Sequence, residues 1–213
     1  MMPMKNKTNK VAWFVMVLMA IGVGCYPLLC LYYAFEASEV GLRLSKSVDV
    51  LGNLAWNIGF YVHIIFGGIA LIVGWSQFSQ KIRQERMALH RTLGKVYVIS
   101  ALLSGLAGFY IAFYATGGWV STLGFLCLAI IWLYTTASAY LAIKKKDMEL
   151  YNGMMIYSYA ACFSVVTLRV WLPLLTLAFG AFLPAYKLVA WLCWVPNLIF
   201  AFYWVRRKGL VIG

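Results

Sequence analysis

Charged residues are scarce in this chain. Asp, Glu, Lys and Arg make up 11% of the 213 residues and only six residues are acidic, whereas hydrophobic residues make up 64%. So little polar surface excludes a soluble globular domain. The six acids also lie outside the long apolar stretches identified below, so those stretches contain no partner for a buried cation.

Metal ligands and catalytic motifs are scarce as well. Two histidines are too few for a metal site built from protein side chains alone. The five cysteines all lie in apolar stretches and none forms a Cys-x-x-Cys pair, which argues against a zinc site and a disulfide framework. A Gly-rich phosphate loop, a His-Glu-x-x-His motif and a Ser, His and Asp set are absent too, so the sequence indicates no catalytic residue.

Six apolar stretches dominate the sequence. Each has about 20 residues or more, the length that a helix needs to cross a hydrocarbon core of about 30 Å. They are Val11–Ala34, Ala55–Phe78, Val96–Ala115, Val120–Ile143, Met154–Ala178 and Tyr186–Val205. The first is too long for the apolar region of a signal peptide and lacks an Ala-x-Ala site, so it predicts an uncleaved helix. We expect an all-α, polytopic membrane protein with six transmembrane helices in one domain, residues 1–213.

The basic residues alternate between the gaps that separate these stretches. Fourteen of the eighteen fall at the N-terminus and after the second, fourth and sixth stretches. They are Lys5, Lys7, Lys10, Lys81, Arg83, Arg86, Arg91, Lys95, Lys144, Lys145, Lys146, Arg206, Arg207 and Lys208. The positive-inside rule therefore predicts that both termini are cytoplasmic. Basic residues placed beside membrane ends indicate the lipid bilayer as partner and argue against nucleic acid.

The gaps predict how neighbouring helices are connected. Gln80–Lys95 and Lys144–Gly153 are expected to be polar cytoplasmic loops, whereas Thr116–Gly118 is expected to be a tight outer turn between antiparallel helices. In the longer segment Phe35–Asn53, four apolar residues recur at helical spacing. They are Val40, Leu44, Val48 and Leu51. This pattern is compatible with a short amphipathic surface helix or with a solvated loop.

One face of the second stretch combines small and polar residues at a spacing of three or four. The residues are Gly59, His63, Gly67, Ala70, Gly74 and Gln77, and the third stretch repeats the pattern with Ser100, Ser104 and Gly108. Small residues allow helices to approach closely, so we expect these two helices to pack together with His63 facing protein. Packing alone would explain the glycines.

Arg169 is the basic residue that lies inside a span. His63 and Arg169 both lie about 12–14 Å below the outer boundary, counting 1.5 Å per residue. An ionisable group at that depth indicates a functional site. Its charge must be met by backbone carbonyls, by Glu36, Glu39 or Asp49 in the outer loop, by water, or by an anionic ligand.

We therefore predict an outward-facing pocket that binds or transports an anionic small molecule or a lipid headgroup. Its predicted ligand-binding residues are His63, Arg169, Gln77, Tyr61 and Trp171, and Trp119 is a further candidate for its rim. The alternatives are that His63 is a core imidazole and that Arg169 ties its helix to backbone carbonyls or to the outer loop.

A second polar group lies at the inner boundary. Arg86, His90 and Arg91, together with Gln77 and Lys95, are expected at the cytoplasmic interface, where contact with lipid phosphates would explain them. Membrane depth separates the two histidines by about 20 Å or more, so they cannot share a ligand.

The order of these residues resembles the bacterial predicted membrane proteins grouped as domain of unknown function 2306. The resemblance rests on His63, Gly67-Gly68, Gly74, Gln77, His90-Arg91, Gly94, Tyr97, Gly117-Gly118, Gly124-Phe125, Trp132, Ser158-Tyr159-Ala160 and Thr167-Leu168-Arg169. It covers roughly residues 55–200 and implies a multi-helix fold in the bacterial cytoplasmic membrane, with no established activity. The chain departs from the family, which carries a His and several basic residues where this chain has Tyr151, Asn152, Gly153 and Tyr157.

A more distant similarity is to two-haem b-type cytochromes, where a His in one helix is followed by a basic loop and a His-Arg pair. The fourth stretch contains no His, so this chain alone cannot supply paired haem ligands at one depth. A haem held by one His with Arg169 at a propionate, a bound quinone, and an accessory subunit of a membrane complex remain alternatives to the pocket.

Overall fold

Regular structure in the described part of the chain is helical. A computed structural model describes residues 7–28, 32, 43 and 45–210. In chain order its α-helices are α1 (Lys7–Gly24), α2 (Val48–Gly52), α3 (Leu54–Gly74), α4 (Gln80–Glu85), α5 (Met87–Ala112), α6 (Trp119–Lys144), α7 (Met148–Cys162), α8 (Ser164–Phe179), α9 (Phe182–Leu192) and α10 (Val195–Arg207). A 3-10 turn, Trp75–Phe78, continues α3.

Five helical segments within the described ranges are long and apolar enough to cross a membrane. They are Leu54–Phe78, Met87–Ala112, Trp119–Lys144, Met148–Phe179 and Phe182–Arg207. The first predicted span is represented by a shorter apolar helix, Trp13–Leu28, and most of its predicted continuation to Ala34 lies outside the described residues. The structure thus shows a membrane protein with several apolar helices.

The two segments that were predicted to be cytoplasmic loops are largely helical. Gln80–Lys95 is not a loop, because it forms α4 and the first turns of α5. The prediction of a loop over Lys144–Gly153 is also wrong, because α7 begins at Met148. Asp147 caps this helix by accepting a hydrogen bond from Leu150 N at 3.0 Å. Hydropathy measures the length of the hydrocarbon crossing, whereas a helix can continue into the polar headgroup region.

The predicted turn between α5 and α6 is confirmed. Gly117 and Gly118 adopt positive φ values of 99° and 70°, which glycine tolerates and other residues rarely adopt. The short turn makes α5 and α6 antiparallel neighbours, and α3 packs along α5. In the preceding outer segment, α2 covers only Val48–Gly52, and Val40 and Leu44 lie outside the described residues.

Two spans are broken near their middle, where α7 meets α8 at Phe163 and α9 is separated from α10 at Cys193. Such breaks leave backbone carbonyls without helical partners, which is costly in a membrane. Asn197 Nδ2 donates to the carbonyls of Ala160 and Cys193 at 3.3 and 3.0 Å. Thr167 Oγ1 donates to the same Cys193 carbonyl. These bonds satisfy carbonyl groups at the two breaks, and they join the α7–α8 break to the α9–α10 break.

Candidate functional site

His63 is held between α3 and α5 by reciprocal hydrogen bonds with Ser104. The imidazole Nδ1 lies 2.9 Å from the Ser104 carbonyl oxygen, and Ser104 Oγ donates to the His63 carbonyl at 2.8 Å. A carbonyl can only accept, so Nδ1 carries a proton. In the neutral ring Nε2 is therefore the acceptor nitrogen.

Glycines allow this close approach, as the small-residue stripe predicted. A Cβ at Gly108 would lie 2.8 Å from His63 Nδ1, and a Cβ at Gly67 would lie 2.9 Å from Ser104 Oγ. Both distances are shorter than a normal contact, so a larger residue would displace the His63 or Ser104 side chain. The predicted pairing of the second and third spans is confirmed.

Arg169 projects from α8 toward α1. Its guanidinium carbon lies 4.1 Å from the centroid of the Tyr26 ring, a cation–π distance, and Nη1 donates to the Val165 carbonyl at 3.4 Å. Of the acids predicted to meet its charge, Glu36 and Glu39 lie outside the described residues, and Asp49 is exposed on α2.

His63 and Arg169 line the same cavity. It has a volume of about 510 Å³ and lies between α1, α3, α5, α6, α7, α8 and α9. Its lining combines Lys46, Arg169, His63 and Ser104 with walls that are mostly apolar or aromatic. A cavity of this size with a few polar groups in apolar walls is typical of a site for a small organic ligand.

Lys46 is a second cation of the cavity, and we did not predict it from sequence. Its Nζ donates to the Tyr114 carbonyl at 2.5 Å and to Thr116 Oγ1 at 3.2 Å, which fastens the outer segment to the end of α5. Burial lowers the pKa of Lys46 to about 8. The available signal was its position, because Lys46 lies with Arg43 in a gap where basic residues are few.

Trp56 contributes a buried donor to the same cavity. The side chain is 2% exposed, and its Nε1 has no hydrogen-bond partner among the described residues. An unpaired buried N–H costs about 1–3 kcal/mol. A ligand atom or a water molecule that accepted this hydrogen bond would recover that energy.

Three predicted ligand-binding residues do not line this cavity. Tyr61 instead packs edge-on against Phe60, with Arg43 at 5.8 Å from its ring, and Trp171 is 39% exposed. Each lies directly beside a lining residue, Phe60 or Leu172. Gln77 lies in the 3-10 turn that follows α3, beside His90. Trp119, the further candidate for the rim, is 77% exposed and does not line the cavity either.

The predicted cytoplasmic residues lie at the end of the bundle formed by α4, the α6–α7 connection and the C-terminus of α10, here called the basic end. Arg86 is the exposed N-cap residue of α5, and Arg91 is exposed in its second turn. His90 is buried, and its carbonyl accepts a hydrogen bond from Gln77 Nε2 at 3.4 Å. The structure therefore separates these residues from the cavity that contains His63.

The described residues contain no group of three or more His, Cys, Asp or Glu side chains placed to hold a metal ion. The cysteines of this part of the chain, Cys25, Cys127, Cys162 and Cys193, are free thiols, and Cys30 lies outside it. The cavity described above is lined by two cations, Lys46 and Arg169, and by one imidazole, His63.

Comparison with known proteins identifies a family. No curated protein and no solved structure matches this chain. The model of a family described as predicted membrane protein (DUF2306) matches residues 60–205, which include His63, Gln77, His90 and Arg169. Since the match covers more than half of the sequence, the chain belongs to the DUF2306 family of predicted membrane proteins.

Proposed function

We propose that the cavity binds an anionic amphiphile, with its acidic head at Arg169 and Lys46 and its apolar chain along the walls. The observation that carries this proposal is that both cations and His63 line one cavity whose other walls are mostly apolar. A small hydrophilic anion would leave those walls in contact with water, whereas a lipid-like molecule would cover them.

The polar groups suit a head that both accepts and donates hydrogen bonds. Two of the three Lys46 ammonium donors are used by Tyr114 and Thr116, which leaves one for a ligand. Arg169 and Trp56 add donors, and neutral His63 offers Nε2 as an acceptor for a hydroxyl group. Transport of the bound molecule would additionally require the cavity to open toward both sides of the membrane.

The orientation that we propose follows the charge pattern. The basic end would face the cytoplasm, with six spans and both termini on that side, because fourteen of the eighteen Lys and Arg residues fall at the N-terminus or in the gaps after the second, fourth and sixth apolar stretches. Ala181 and Lys145 are exposed at opposite ends of the bundle. In intact cells, a membrane-impermeant maleimide should label Ala181→Cys and spare Lys145→Cys. The reverse pattern would contradict this orientation.

A paired substitution on α8 tests occupancy of the cavity. Leu172 lines it, whereas Leu174 on the same helix is exposed toward lipid. Leu172→Trp should weaken binding of hexadecanesulfonate to the purified protein by about tenfold, since excess volume in a filled site costs about 1–3 kcal/mol. Leu174→Trp adds the same volume outside the cavity and should change the affinity by less than about twofold.

Equilibrium titration of hexadecanesulfonate, which stays ionised over the working pH range, measures both effects. One saturable site per chain is expected. Equal affinities for the two tryptophan variants would show that the probe binds elsewhere.

The geometry of His63 favours a redox cofactor as the second candidate function. A histidine that binds a metal usually donates its other ring N–H to a carbonyl or carboxylate, as Nδ1 does here to Ser104. Nε2 could therefore ligate a haem iron or accept a hydrogen bond from a quinol. Protein expressed with supplemented haem would then show a Soret band that His63→Ala removes, and its absence would exclude the haem form of this candidate.

A further inference from the structure

The cavity at His63 stops well before the basic end of the bundle. On α5, α6 and α7, the lining residues nearest the basic end are Ser104, Trp132 and Ala161. At 1.5 Å per residue, about 18–26 Å of each helix separates these residues from the basic end. The cavity therefore extends from Lys46, which is fastened to the opposite end of α5, and ends near the level of Trp132.

A layer of hydrogen-bonded side chains lies between the cavity and the basic end. Ser158 Oγ lies 2.7 Å from both Thr136 Oγ1 and Tyr97 Oη. The Tyr159 hydroxyl donates to the Leu71 carbonyl at 3.3 Å. The four side chains whose hydroxyl groups make these bonds, here called the inner layer, are at most 5% exposed, and none of them lines the cavity. The inner layer thus joins α3, α5, α6 and α7 where the cavity ends.

Trp132 lies between the inner layer and the cavity. Its side chain is 6% exposed and lines the cavity, and on α6 it precedes Thr136 by about one helical turn. Trp132 also belongs to the same buried core cluster as Tyr97 and Tyr159 of the inner layer. Because a close-packed interior leaves no room for further atoms, the end of a bound chain would stop at the Trp132 ring.

We infer that Trp132 sets the length of the apolar chain that the cavity accepts. This inference rests on the proposed function, because it concerns the chain of the same anionic amphiphile. When the cations hold the acidic head, a chain that reaches Trp132 fills the cavity. A longer chain must bend back or pull its head away from the cations, and overfilling a packed site is unfavourable. Chain length, in addition to charge, then decides which amphiphiles bind.

The test measures the binding of alkanesulfonates of increasing length, from dodecanesulfonate to icosanesulfonate, to the full chain in one detergent. Each probe also partitions into micelles, so its concentration is expressed as a mole fraction of the detergent. The unchanged protein should bind hexadecanesulfonate at least about tenfold more tightly than icosanesulfonate. Trp132→Ala extends the cavity toward the inner layer and should reduce this ratio to less than about twofold.

Two further substitutions on α6 distinguish the end of the cavity from its walls. Phe125 lines the cavity about two helical turns farther from the basic end than Trp132. Phe125→Ala should weaken the binding of every probe alike and leave the ratio near its original value. Ala129 lines the cavity about one turn before Trp132, so Ala129→Leu should shift the preference toward dodecanesulfonate. General damage to the fold would not produce opposite shifts in two variants.

Failure of this inference can be told apart from failure of the proposed function. If the unchanged protein shows no saturable binding of hexadecanesulfonate, both are wrong. If it binds the probe but Trp132→Ala keeps the original ratio, or Phe125→Ala changes the ratio equally, only the role of Trp132 is overturned. Trp132→Leu removes less volume and should change the ratio in the same direction, so the test does not depend on the folding of the Ala variant.

Discussion

Replacing Arg169 by leucine is expected to weaken hexadecanesulfonate binding by about 10- to 100-fold while leaving hexadecanol binding within about twofold. A hydrogen bond to a charged group contributes about 1.5–3 kcal/mol, and each 1.4 kcal/mol changes affinity tenfold. The two probes share their alkyl chain and differ in the charged head. The comparison therefore isolates the contact between Arg169 and the anion from burial of the chain.

Controls separate this effect from damage to the fold. Arg169 also packs against the Tyr26 ring at 4.1 Å, so the leucine variant loses a link between α8 and the segment that follows α1. Arg169→Lys keeps the positive charge and should lose less affinity than the leucine variant. Arg207→Leu removes a charge at the basic end and should have no effect. If both probes lose affinity equally in Arg169→Leu, Arg169 supports the structure and does not contact the ligand head.

Gly68→Ala is expected to destabilise the protein by about 1–3 kcal/mol, although it adds a single methyl group. A Cβ at Gly68 would lie 2.6 Å from the Gly24 carbonyl oxygen. This contact is with backbone, so no side chain can rotate to relieve it, and α1 must move away from α3. Gly124→Ala should behave similarly, since its Cβ would lie 2.7 Å from the Ala190 carbonyl oxygen of α9.

Gly22 provides the matched control for the glycine substitutions. Among the described residues, a Cβ there meets no atom within 4 Å outside its own helix, so Gly22→Ala should be neutral or stabilise α1 by up to about 1 kcal/mol. Thermal unfolding of the three variants in one detergent measures the difference. Equal melting temperatures for Gly68→Ala and Gly22→Ala would contradict the close crossing of α1 and α3.

Sequence reasoning identified two ionisable residues of the cavity, His63 and Arg169, because depth can be counted along a span. His63 and Arg169 lie at similar distances from their outer helix ends, and the structure places both in one cavity. The small residues at Gly67, Ser104 and Gly108 also predicted the helix pair that holds His63. These inferences needed only the rise and periodicity of a helix.

The rest of the site depends on how non-helical segments fold and on which face of a helix a residue occupies. Lys46 reaches the cavity because hydrogen bonds to Tyr114 and Thr116 fasten the outer segment to α5, and spacing in the sequence does not reveal that contact. Tyr61 and Trp171 were predicted as aromatic residues that could line the pocket, but the cavity is lined by their neighbours Phe60 and Leu172.

Helix ends were the other weakness of sequence reasoning. The hydropathy of Gln80–Lys95 is low, so it predicted a loop, whereas α4 and α5 continue the helical structure through it.

An experimental structure of the protein in native lipid would test the central claim most directly. The account predicts elongated non-protein density in the cavity, with its polar end within hydrogen-bond distance of Arg169 and Lys46 and its remainder along the apolar walls. A cavity that contained only water, or that side chains closed completely, would contradict it.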